Sequence, residues 1–194
     1  EIVYWPLLKK EDGYWFSSLL NNKTLEEKIE KLDGYNGSIM WDAEFPFDRS
    51  LILNNISSLF LNKSLIHNFF RDYKGQIYTA EYSMYVGLMG FLSRFLCLQF
   101  DPIKYGNNVI KMIYTSNHKY PRYLLDFLIK KYKQKYKDKF LVGLGTIAMG
   151  IKGNETILKP KDLEKDLELC EKHNINEVVI FRLGGLNKAY IEIV

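Results

Sequence analysis

Asp42 and Glu44 stand two residues apart in Trp41-Asp42-Ala43-Glu44, directly after the apolar run Gly37-Ser38-Ile39-Met40. If that run is a buried strand, its side chains alternate with period two, so both carboxylates leave one face while Trp41, Ala43 and Phe45 leave the other. Two like charges in a partly dry site push one pKa up and leave the other low, which sets a proton donor beside an ionised partner. Such a pair suits general acid–base work. The competing reading is a structural pair that accepts hydrogen bonds from loop amides or from Arg182.

Further polar residues recur near the ends of other candidate strands. Glu81 falls in Gln76-Ile77-Tyr78-Thr79-Ala80-Glu81-Tyr82, Tyr114 in Met112-Ile113-Tyr114-Thr115, and Arg182 follows Val178 and Ile180 in alternation. A phase error of one residue would turn Glu81 to the opposite face, and Tyr114 also reads as a core tyrosine. Trp5 and Trp15 offer rings on which a ligand ring could stack, with Trp15 inside the aromatic loop Tyr14-Trp15-Phe16, whereas Trp41 reads as core. Leu183-Gly184-Gly185, between a strand and a helix, could cradle phosphate on backbone amides or simply permit close packing. Gly143-Leu144-Gly145-Thr146 with Gly150 lacks the third glycine of a nucleotide fingerprint at its place.

These residues need a scaffold that collects strand ends. Strand-like and helix-like stretches alternate along the chain, which predicts parallel strands joined by crossover helices, an α/β fold. Strands are expected at 2–5, 39–44, 76–82, 109–115, 140–146 and 177–183, with a further short one at 97–100. Helices are expected from Thr24, where Glu27 completes a capping box, to Gly34, then at 50–73, 84–96 (buried), 120–137 and 161–173, with a last one from Asn187. Polar residues at the ends of many different strands favour a (β/α) TIM-like barrel, incomplete or short, over a doubly wound sheet with a single switch point. No linker or repeat divides the chain, so 1–194 reads as one barrel domain, its eighth strand absent or supplied beyond Val194.

Composition narrows the function classes. With 194 residues, 47% hydrophobic, the chain can bury a sizeable core. A net charge of +4 is too small and too scattered to imply a nucleic-acid partner, and Lys130 to Lys137 reads as the solvated face of a helix. Cys97 and Cys170 read as small buried hydrophobes, and His67, His118 and His173 have no metal-ligand spacing. The longest apolar stretch, Met84 to Phe100, is interrupted by Ser93 and Arg94 and predicts no membrane span. Five Asn-x-Ser/Thr triplets, at Asn22, Asn36, Asn55, Asn62 and Asn154, are what an Asn-rich chain produces by chance. Because it starts on Glu1, the chain is expected to be a processed or excised segment, which leaves its compartment and oligomeric state open.

The Asp42-Ala43-Glu44 ending of an inner strand, with aromatic loops and a later Tyr114, resembles the lysozyme-like and chitinase-like glycoside hydrolases. The resemblance implies a sugar-cleaving (β/α) barrel in which Glu44 is the proton donor, Asp42 its ionised neighbour that stabilises charge or orients an acetamido group, and Glu81 or Tyr114 steadies the ring. Trp5, Trp15, Tyr114 and Arg182 would line the carbohydrate site, with no cofactor. A second reading is a non-catalytic glycan- or protein-binding barrel, since Gly37, Ser38 and Met40 stand where the chitinase-like signature has further acids. A third is a metal-dependent phosphate-ester enzyme, with Asp42, Glu44 and Glu81 on a divalent cation and Gly184, Gly185 and Arg182 on phosphate.

Overall fold

A computed structural model describes residues 2–116, 120–151, 153 and 155–194. His118 and Asn154 therefore lie outside the described residues. The chain forms two compact units, Glu1–Val109 and Ile110–Val194. Both are α/β: strands alternate with helices, and in each unit neighbouring strands follow chain order.

The first unit contains β1 (Val3–Tyr4), α1 (Asn22–Asp33), β2 (Ser38–Asp42), α2 (Ser50–Asn54), α3 (Leu59–Asp72), β3 (Ile77–Tyr82), α4 (Gly87–Phe95) and α5 (Pro102–Tyr105). The three strands run parallel, with Tyr4 opposite Ile39 and Asp42 opposite Ala80. Ile39, Trp41 and Ala43 leave one face of β2 and pack with Leu25, Ile29 and Leu32 of α1 and Ile66, Phe69 and Phe70 of α3 in a single core. Trp41 is fully buried, its ring 4.1 Å from that of Phe16 and 5.3 Å from that of Phe70. The opposite face of β2 carries Met40 and Asp42.

β4 (Asn108–Ile113) leads from the first unit into the second, which adds α6 (Arg122–Tyr136), β5 (Phe140–Leu144), α7 (Pro160–Lys172), β6 (Val178–Ile180) and α8 (Lys188–Ile191). β5 and β6 are parallel, with Val142 opposite Val178. Leu125, Leu128 and Ile129 of α6 meet Val142 and Leu144 of β5 and Leu163, Leu169 and Cys170 of α7 in a second core. Lys111 of β4 is fully buried, with its Nζ 5.0 Å from the centroid of the Tyr132 ring. The exposed lysines of α6 are the solvated face expected from the sequence, and both cysteines are buried and free. Among the described residues no helix is long and apolar enough to cross a membrane.

Local chemistry moved several boundaries. Asn21, not Thr24, caps α1: its Oδ1 accepts from Thr24 N at 3.2 Å. The expected helix at 50–73 breaks into α2, a 3-10 turn at Ile56–Ser58 and α3, because Asn55 turns its amide back onto Leu51 O at 2.8 Å. No strand forms at 97–100; Cys97 takes a positive φ of 56°, off the extended backbone a strand needs. The segment 84–96 is not a buried helix either. In α4 the small residues Gly90 and Ser93 face inward, where a Cβ on Gly90 would lie 2.8 Å from Tyr85 O, so the large residues turn outward. Asn62 is fully buried and donates to Ser18 O and Leu20 O, which makes its glycosylation triplet a coincidence of packing.

Two glycines test this close packing. A Cβ on Gly75 would sit 2.1 Å from the Gly37 carbonyl oxygen, whereas one on Gly34 meets nothing within 4 Å. Gly75→Ala is expected to destabilise the chain by about 1–3 kcal/mol through forced backbone movement. Gly34→Ala, at φ −81°, should be neutral or add up to about 1 kcal/mol by restricting the unfolded chain. Urea denaturation of the two variants checks the difference; equal midpoints would remove the clash as an explanation.

Candidate functional site

β2 ends on Asp42, and the Ala43 amide still donates to Ala80 O at 2.9 Å. That bond carries the extended alternation past the strand end, so Glu44 stays on the side of Asp42. Because Asp42 is opposite Ala80, Tyr82, two residues further along β3, arrives beside Glu44. Its hydroxyl donates to Glu44 Oε2. The loop after the strand is held by Gly13, whose carbonyl accepts from Phe47 N at 2.8 Å; Gly13 adopts φ 110°, a conformation that favours glycine. The ring of Tyr85 lies 5.3 Å from that of Tyr82, and the Arg49 guanidinium sits 4.9 Å above the Phe45 ring.

Asp42 is 3% exposed and Glu44 8%. Burial raises the Asp42 pKa well above the usual carboxylate range, and the charge of Glu44 together with a hydrogen bond between the two carboxyls raises it further. The Trp5 indole opposes this in part. Asp42 Oδ1 is buried with no hydrogen-bond partner among the described residues. Desolvation and the neighbouring charge thus favour the protonated form of Asp42, and one proton shared by the pair relieves their repulsion. Burial and the charge of Glu44 push the Tyr82 hydroxyl up as well, so it remains a neutral donor. Tyr85 is shifted in the same direction, with Arg49 opposing.

The other expected residues are distributed differently. Trp5 joins Asp42 and Glu44. Trp15 is buried in the loop, with its ring 6.1 Å from that of Phe47. Glu81 leaves β3 on the face of Ile77 and Thr79, away from Tyr82, and its Oε1 accepts from Thr79 Oγ1 and Phe100 N, both at 2.9 Å. Asn107 Nδ2 donates to the same Thr79 hydroxyl, so Glu81 anchors the loops at Phe100 and Asn107. Asp42, Glu44 and Glu81 do not converge, and among the described residues no group of three or more His, Cys, Asp or Glu side chains is placed to hold a metal ion.

In the second unit, Tyr114 follows β4 and its ring meets that of Phe181 at 5.6 Å, while the next residue, Arg182, is exposed. Gly185 is required by packing, since a Cβ there would lie 1.8 Å from Ile147 O. Gly184 has open space around it. An open groove of about 470 Å³ is lined by Arg122, Tyr123, Asp126, Glu168, Leu169 and Lys172; Asp126 in it is already paired with Lys172 and His173.

Tyr82, Tyr85 and Arg49 complete the first-unit site and were not singled out from the sequence. The signal for Tyr82 was available: once Trp41 and Ile77 are assigned to the core, parallel pairing puts Tyr82 next to Glu44. Neither a known family model nor a curated protein sequence matches the chain.

The raised Asp42 pKa has a defined consequence for stability. Folded Asp42 retains its proton where unfolded aspartate has lost it, so its contribution is fully present below the ordinary carboxylate range and is lost as pH rises toward the folded pKa. From about pH 4 upward the parent chain should lose stability relative to Asp42→Asn, by up to about 1.4 kcal/mol per pH unit. Guanidinium denaturation of both proteins across this range measures it, and parallel profiles would refute a raised pKa.

Proposed function

We propose that the chain is a carbohydrate-directed protein of the (β/α)-barrel type, in which Asp42 and Glu44 form the proton-handling centre of a glycoside-hydrolase-like site. The observation that carries this reading is the hydrogen-bonded carboxyl pair at the C-terminal end of β2, with the Tyr82 hydroxyl on Glu44. Parallel strands taken in chain order with helices between them support the barrel part of the reading.

Mutual contact constrains the mechanism. Carboxylates that flank a scissile bond stand about 5–5.5 Å apart in retaining enzymes and about 6.5–9.5 Å apart in inverting ones, and a hydrogen-bonded pair cannot span that gap. Asp42 and Glu44 would then act as one unit. The single proton of the pair passes from Asp42 along their hydrogen bond to Glu44, the more exposed of the two, which delivers it to the glycosidic oxygen as the bond to the anomeric carbon breaks. Tyr82 holds the Glu44 carboxyl in place, and the water that completes hydrolysis returns a proton to the pair. The nucleophile on the sugar's opposite face is supplied by the substrate's own acetamido oxygen or by water. A binding protein without turnover is the second reading, favoured by the capping of Glu44 with Tyr82.

A panel of labelled oligosaccharides, with and without N-acetyl groups, tests the proposal. Turnover should fall about 100- to 10,000-fold in Glu44→Gln while binding is retained, the loss expected of a general acid. Binding without turnover in the parent, unchanged by Glu44→Gln, selects the recognition reading. If no glycan binds, the carbohydrate assignment is wrong.

A further inference from the structure

The first unit carries a surface that the carboxylate site does not use. Leu88, Met89, Phe91 and Leu92 project from α4 into solvent, Leu88 with 72% of its surface exposed and Phe91 with 60%. Phe60 and Leu61 at the start of α3 are also exposed. The two helices are joined at this surface, because the Phe60 and Phe95 rings meet edge to face at 6.0 Å. A contiguous apolar patch of this kind is uncommon on a free surface and marks an interaction site.

Charge identifies the partner. From Arg49 to Arg71 and from Tyr82 to Phe100 the sequence contains no Asp or Glu, so every formal charge on the segments that build the patch is positive. Lys63 Nζ lies 4.1 Å over the Phe95 ring, at the junction of the two helices, and Arg94 is exposed on α4 itself. The outward residues of α4 are otherwise Leu, Met and Phe, which neither donate nor accept hydrogen bonds. A protein partner is ordinarily held with about one hydrogen bond per 100–200 Å² of interface. Acyl chains require none, and anionic headgroups answer the lysine and arginine at the edge.

We propose that α4 and the start of α3 form a peripheral docking surface for an anionic lipid bilayer, with Leu88, Phe91 and Phe60 entering the acyl boundary and Lys63 and Arg94 pairing with headgroup phosphates. Such a contact lies on the membrane without spanning it. It is independent of what the Asp42–Glu44 site does.

Co-sedimentation of the whole chain with vesicles of phosphatidylcholine alone or mixed with phosphatidylglycerol tests the assignment. Binding to the anionic vesicles is expected, with loss of binding in Leu88→Ser/Phe91→Ser. Lys63→Gln/Arg94→Gln should weaken partitioning about 30-fold, the worth of two neutralised charges at a membrane surface. Circular dichroism of each variant reports folding, and the charge variant, altered only at polar positions, carries the test if the apolar one unfolds. Absence of binding to anionic vesicles overturns the proposal. So does equal binding to neutral vesicles, or a dimer in sedimentation equilibrium that Leu88→Ser/Phe91→Ser dissolves while vesicles leave the parent chain untouched.

Discussion

Trp41 fixes the phase of β2, and the candidate site depends on that phase. Its indole is closed in by Phe16, Phe69 and Phe70, a large apolar surface that contributes only when the ring points toward α3. Period-two alternation then leaves Asp42 no choice of face. A slip of one residue would place a carboxylate among aromatic rings and a tryptophan on the opposite side, at a cost of several kcal/mol on both counts. Parallel pairing passes the phase on to β3. Ile77 goes to the core, and Tyr82 therefore reaches the Glu44 carboxylate.

With geometry set this way, electrostatics determines what the acids can be. Two ionised carboxylates buried in contact would repel strongly, and desolvation adds to that repulsion in favouring a protonated Asp42. Retaining a proton between them removes most of that cost. The protonated form of Asp42 is thereby favoured at the strand end, with a neutral tyrosine hydroxyl steadying the more exposed member of the pair. Arg49 acts further out, where it sits over Phe45 and opposes the upward shift of Tyr85.

The sequence made the α/β alternation, most helices and the Asp42–Glu44 pairing legible because each rests on a local period. Glu81 was harder, since Tyr78, Thr79, Ala80, Glu81 and Tyr82 present polar or small groups in both phases and only contact with Phe100 N and Thr79 reveals the direction. The helix at 84–96 misled for a related reason. Hydrophobicity predicts burial, yet the residues small enough to approach the Tyr85 backbone are Gly90 and Ser93, so close packing claimed the inward face and left leucine and phenylalanine outside. The broken helix at Asn55 depended on one side-chain amide competing with the backbone, which no periodicity records.

A second buried aspartate in the chain shows what a structural acid looks like here. Asp166 of α7 is 5% exposed, and both of its oxygens have partners: Arg122 reaches Oδ1 at 3.2 Å and the Thr115 hydroxyl donates to Oδ2. The cation and the hydroxyl offset the desolvation that raises its pKa, and the group ties β4's end to α6 and α7. Asp42 is buried to the same degree, but its acidic neighbour adds to desolvation, and Oδ1 has no partner among the described residues. The arrangement around Asp42 instead favours its protonated form at the end of a strand, the property on which the proposed acid–base role rests.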